Sequence, residues 1–149
     1  MTTNEDFHDG FLSECADVEK HGIVLKRVGD FMNPPAYETA VWTNVPHLVT
    51  HHSPSGFEWG YGGSGPADLA LNIIELCLRK LGYEGPKMEC WDKSHCFEAA
   101  WAMHHDFKFK AIAGFPKQGG QLDWQFVVDW VQANTPDYLK LEDKFGHGR

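Results

Sequence analysis

The sequence has no Cys-x-x-Cys pair, no leader-like segment and no apolar run long enough to cross a bilayer. A reducing cytoplasm is therefore the expected setting, with no membrane partner. Cys77 lies in an apolar run and reads as a small core residue, and a Cys90–Cys96 bridge stays open as an alternative. Basic charge is scarce too: 13 Lys and Arg stand against 21 Asp and Glu, a net charge of −8. Non-specific nucleic-acid binding needs Lys and Arg to displace counterions from phosphates, so no direct nucleic-acid partner is expected. The acidity reads either as solubility or as an acidic surface that meets a basic partner. The G-x-S-x-G elbow of a hydrolase does not occur, and no glycine-rich stretch runs into the Lys-Ser/Thr of a phosphate-binding loop.

What is present suffices for one core. The 149 residues are 42% hydrophobic and 23% charged, ordinary globular usage, so residues 1–149 read as a single domain. The acidic segment 1–20 and the tail 135–149 are expected to be peripheral. Residues 23–28, rich in β-branched side chains and followed by Gly29-Asp30, predict a strand. Residues 38–43 and 48–51 predict two more. Short strands separated by turn residues favour an antiparallel sheet.

The apolar run 69–81 predicts the longest helix. Pro66 suits its first turn, Ser64 or Gly65 can cap it, Asp68 meets the positive end of the dipole, and Gly82 ends it. Asp68, Asn72, Glu75 and Arg79 form a polar stripe, with Glu75 and Arg79 paired at i,i+4. The remaining arc is apolar and wide enough for burial on two sides. Residues 83–93 read as a connector, and a second helix is expected from near Ser94 through His104. The alternation Phe107-Lys108-Phe109-Lys110 predicts a strand over 107–112, and Gly114 to Gly120 a loop. Asp123 can cap a third helix that Asn134, Thr135 and Pro136 end. The fold class is thus α+β: a small antiparallel sheet packed against about three helices, the helix after the glycine-rich stretch central.

That stretch, Gly56-Phe57-Glu58-Trp59-Gly60-Tyr61-Gly62-Gly63-Ser64-Gly65-Pro66-Ala67, carries the strongest local bias in the chain. Gly60-x-Gly62-x-x-Gly65 matches a dinucleotide fingerprint letter by letter and opens a helix. It lacks a convincing preceding parallel strand and a following βαβ unit. A looser version keeps an anion at the helix start, held by backbone N–H groups around Gly63, Ser64 and Gly65. The structural alternative is a tight turn that docks the helix, with Phe57, Trp59 and Tyr61 alternately buried.

Nine histidines invite a metal hypothesis. His47, His51 and His52 make one group, and His104-His105 with Cys96 or His95 another. Neither has a zinc spacing, and adjacent histidines on a helix or strand point to different faces, so no metal or cofactor is expected. For hydrolysis the candidates are Glu58 with His51 or His52. A carboxylate between Phe57 and Trp59 is expected to have a raised pKa through desolvation.

The run His52-Ser53-Pro54-Ser55-Gly56-Phe57-Glu58-Trp59-Gly60-Tyr61-Gly62-Gly63-Ser64-Gly65-Pro66-Ala67-Asp68-Leu69-Ala70-Leu71 resembles the signature of a domain-of-unknown-function family found largely in phages and mobile elements. The likeness extends over about residues 47–133. It implies a phage accessory setting and brings no catalytic residue. The expected function is a non-enzymatic binding module that inhibits or retunes a bacterial host protein, such as an antiviral defence factor. Its expected contact residues are Phe57, Glu58, Trp59, Tyr61, Gly62, Gly63, Ser64, Gly65, His51 and His52. The alternative is a binder of an anionic, nucleotide-like small molecule, or an enzyme acting on one, through the same loop.

Overall fold

The computed structural model describes residues 17–28, 40–53 and 56–140. The expected strand residues 38 and 39, Cys15, and most of the acidic and C-terminal segments lie outside the described residues. In chain order the elements are α1 (Val18–His21), β1 (Ile23–Val28), β2 (Ala40–Thr43), α2 (Ser64–Lys80), β3 (Lys87–Glu89), β4 (His95–Phe97), α3 (Glu98–Phe107), a π-helical turn (Lys108–Ile112), β5 (Gly119–Leu122), α4 (Trp124–Asn134) and a 3-10 turn (Asp137–Leu139). The architecture is α+β with antiparallel sheets, as the sequence implies.

One sheet has the order β2-β1-β5, both pairings antiparallel; β3 and β4 form a separate hairpin. Strand β1 is central because Ile23, Val24 and Leu25 are all buried. Strand β5 falls where Gly119-Gly120 reads as a loop. Gly119 has φ +108, and a Cβ there would run into the Leu25 carbonyl oxygen, so glycine is what lets β5 lie against β1.

Helix α2 is the centre of the molecule. Leu69, Leu71, Ile73, Ile74, Cys77 and Leu78 are fully buried, in one core with Trp59, Phe107, Val127 and Ile23. It packs against α3, the π-helical turn and α4. Leu81 caps its end, and Gly82 at φ +77 turns the chain away, as the sequence predicts. The Asp123 side chain accepts from the Phe126 N–H and caps α4, also as expected.

Three local expectations are corrected. Residues 107–112 are not a strand: α3 continues into the π-helical turn, burying Phe107, Lys108 and Ile112 and exposing Phe109 and Lys110. Residues 83–93 are more than a connector, since they supply β3, and the helix expected from Ser94 starts at Glu98 after strand β4. Residues 48–51 lie extended without a strand partner, and α2 supplies their hydrogen bonds from its side chains.

Candidate functional site

The polar stripe of α2 is buried. Asp68, Asn72 and Glu75 are each fully shielded from solvent. Buried polar groups must be hydrogen-bonded, and all three are bonded to backbone. The Asn72 side chain accepts from Leu48 and Val49 N–H at 2.6 and 2.9 Å and donates to the Val49 carbonyl. The Asp68 carboxylate accepts from His51, His52 and Ser53 N–H, the two shortest being 2.9 Å from His52 and 2.8 Å from Ser53. Glu75 accepts from the Phe97 N–H at 2.8 Å and pairs with Arg79 at 2.8 Å, the expected i,i+4 contact. One helix face thus fixes the segment that presents His51 and His52, and the start of α3.

That segment meets α3 in a cluster of rings. His52 stacks on Trp101 at 5.5 Å with the planes 9° apart, and His51 meets Trp101 edge-on at 4.4 Å. His52 Nε2 lies 2.9 Å from His104 Nε2, and the His104 and His105 rings are 4.5 Å apart. The expectation that adjacent histidines diverge fails here. Both rings come close to that of His52, with centroids 5.1 and 5.8 Å away, His104 from the buried side and His105 from the exposed side. Burial pushes His104 down to about 4 against the pull of the Trp101 carbonyl, with the neighbouring histidines adding to the fall. Burial also holds His52 below the ordinary imidazole value, against the opposing Asp68 carboxylate. His51 Nδ1 accepts from the Trp91 N–H at 3.3 Å.

The sequence grouping of histidines is rearranged. His47 turns away to stack on Phe57 at 4.3 Å. Cys96 is buried with its Sγ 3.4 Å from that of Cys90, both as free thiols, and His95 is exposed on β4. Sequence reasoning missed the union of His52 with His104 and His105. The one signal in the sequence was Trp101 three residues before His104, which places both on one face of a helix.

The glycine-rich loop is built differently from a ligand cradle. Glu58 forms a two-point ion pair with Arg27, at 2.7 Å and 3.0 Å. Burial alone would raise the Glu58 pKa, but hydrogen bonds from Arg27 and from the Trp59 N–H outweigh it and hold the carboxyl below its ordinary value. The expected raised pKa is therefore corrected, because Glu58 is locked in its charged form. Arg27 also donates to the Lys117 carbonyl at 2.7 Å, and the Trp59 indole N–H donates to the same oxygen at 3.1 Å.

The three aromatics separate. Trp59 is fully buried, Phe57 is half-buried and Tyr61 is 46% exposed. The fingerprint glycines face protein atoms. A Cβ at Gly60 would meet Lys117 Cγ at 2.9 Å, one at Gly62 the Phe109 ring at 3.2 Å, and one at Gly65 the Glu58 Cβ at 2.8 Å. Gly63 is the N-cap of α2 and Ser64 its exposed first residue. With those spaces filled from within the chain, and no strand leading into the loop among the described residues, the loop departs from the strand–turn–helix setting of the dinucleotide fingerprint.

A family of unknown function (DUF6166) matches residues 27–81. No curated protein and no solved structure matches the chain. The matched span runs from Arg27 of the ion pair to the end of α2. Among the described residues, no helix is long and apolar enough to cross a membrane.

Proposed function

We propose that the protein is a non-enzymatic binding module that engages a partner protein through the face around Tyr61 and Phe109. Tyr61 is 46% and Phe109 65% exposed, and they flank the exposed Gly62, where a Cβ would meet the Phe109 ring. Lys117 Nζ stands 5.3 Å over the Tyr61 ring and Lys108 Nζ 4.4 Å over Phe109. Two large aromatics held on a rigid base have the composition of an interface anchor. The exposed Lys110 and Lys117 favour a partner whose apolar surface is bordered by carboxylates. In this reading the acidic overall charge serves solubility. The resemblance of the 52–71 motif supports a phage or mobile-element setting, with a bacterial host protein of the cytoplasm, such as a defence factor, as the partner. The filled glycine spaces favour this reading over an anionic small molecule at the loop.

The test is site-specific photo-crosslinking in bacterial cells. Probes at Tyr61 and at Phe109 are expected to trap the same host protein. A probe at Tyr138, 74% exposed on the 3-10 turn, is the control. The Lys110→Glu/Lys117→Glu variant is expected to abolish that product. Identical products from Tyr138, or a product indifferent to charge reversal, would refute the proposal.

A further inference from the structure

The ligand-capable nitrogens of His52, His104 and His105 all lie within 4.8 Å of one another. We propose that these three histidines bind a single divalent transition-metal ion of the zinc type. His104 Nδ1 is 2.6 Å from the Trp101 carbonyl oxygen, which can only accept. The ring proton is therefore on Nδ1, and Nε2 directs its lone pair toward His52. A carbonyl behind the ligating ring is the usual outer-shell partner of a metal-bound histidine, fixing both tautomer and orientation.

His52 is fixed from two sides. The Asp68 carboxylate accepts from its backbone N–H, and Trp101 stacks on its ring. The separation of 2.9 Å between His52 Nε2 and His104 Nε2 is close to the ~3.3 Å between two nitrogens on one tetrahedral zinc with Zn–N near 2.0–2.1 Å. Small side-chain rotations open that gap. A hydrogen bond from His52 to His104 would account for this pair, yet it gives His105 no reason to complete the triangle. Three imidazoles without a carboxylate or thiolate suit Zn2+, Co2+, Ni2+ or Cu2+ and not the oxygen-seeking Ca2+ or Mg2+. His105 is exposed, so the fourth position faces solvent and is open to water or to a further ligand.

The experiment is a titration of chelator-treated protein with Co2+, followed by Zn2+ competition. One equivalent of Co2+ is expected to produce the visible bands of a tetrahedral centre, Zn2+ is expected to displace it, and either ion is expected to raise Tm. His105→Ala, at an exposed position, and His52→Gln are each expected to weaken binding by at least ~10-fold. His21→Ala, at the end of α1, is expected to leave it unchanged. Binding that is not one-to-one, or that is insensitive to both cluster variants, overturns the proposal. So does loss of affinity in His21→Ala equal to that in the cluster variants. Circular dichroism of each variant separates loss of ligand from loss of fold.

Discussion

Replacing Asp68 by asparagine isolates what the buried stripe of α2 contributes. The substitution keeps size and shape, and it exchanges one acceptor oxygen for a donating amide. The carboxylate takes three backbone N–H groups, from His51, His52 and Ser53, with nothing but backbone donors in front of it. An amide oriented to keep the bond from His52 turns its NH2 toward the Ser53 N–H, so donor faces donor. A hydrogen bond to a charged group contributes ~1.5–3 kcal/mol, and a buried donor left without a partner costs ~1–3 kcal/mol. These overlap for a single site, and ~3 kcal/mol is the expected loss. At ~2–4 °C per kcal/mol for a domain of this size, Tm should fall by ~6–12 °C. Urea unfolding gives the free energy, and amide hydrogen exchange gives the location. Exchange at His51, His52 and Ser53 should accelerate well beyond that of α4, where nothing has changed. A variant within 1 kcal/mol of the parent, or one whose exchange rises evenly across the chain, would show that the 48–53 segment is held by something other than α2.

Two further outcomes follow from the glycine-rich loop. The Glu58 carboxyl is held below the ordinary glutamate value of 4.5, so its contribution is complete above that pH and lost as pH falls through the lower folded value. Glu58→Gln should therefore be less stable than the parent at neutral pH by ~1–2 kcal/mol, after allowing for an ion pair open to water on one side. The gap measured by chemical denaturation should close at more acidic pH; a gap that persists or widens there contradicts the ion-pair account. Gly65→Ala gains ~1 kcal/mol of helix propensity. It also drives a methyl to 2.8 Å from Glu58 Cβ and 3.2 Å from the Glu58 backbone nitrogen, which cannot swing aside. A net loss of ~1–2 kcal/mol in urea unfolding is expected. Gly114→Ala, with nothing within 4 Å, should be neutral or slightly stabilising.

Features set by local chemistry were legible in the sequence, and features set by distant partners were not. The apolar arc of α2, its stop at Gly82, the Asp123 cap and the Glu75–Arg79 pair are all decided within a turn or two of chain. Residues 48–51 have strand composition, but their N–H partners are side chains some twenty residues away, which no periodicity reveals. Lys108 misled in a similar way. Lysines that alternate with phenylalanine suggest a wet strand face, yet this one lies buried with its amine near the Gly62 carbonyl at 3.4 Å. Of the candidate site residues, Tyr61 is exposed and His52 half-buried beside His104, while Trp59 is fully buried and Glu58 is paired with Arg27. The histidine trio needed two facts from the tertiary fold: where α3 docks, and that Asp68 turns inward.

The histidine trio and the aromatic face share one side chain, and that constrains how each is probed. Both are assembled where residues 51–53 and 56–62 meet α3 and its π-helical extension, with His104 and His105 four to five residues ahead of Phe109. Lys108 lies between them. Its charge is close enough to help lower the His52 pKa, while its amine stands over Phe109 and donates to the Gly62 carbonyl. A change at Lys108 therefore alters the electrostatics of one site and the geometry of the other together. Charge reversal at Lys110 and Lys117 avoids this, because Lys110 is exposed and Lys117 stands by Tyr61 and the Glu58 end of the loop. The match over residues 27–81 contains Arg27, Glu58, His52 and the whole polar stripe, but stops before Trp101, His104 and His105. The trio must be established separately for any chain whose α3 is not known.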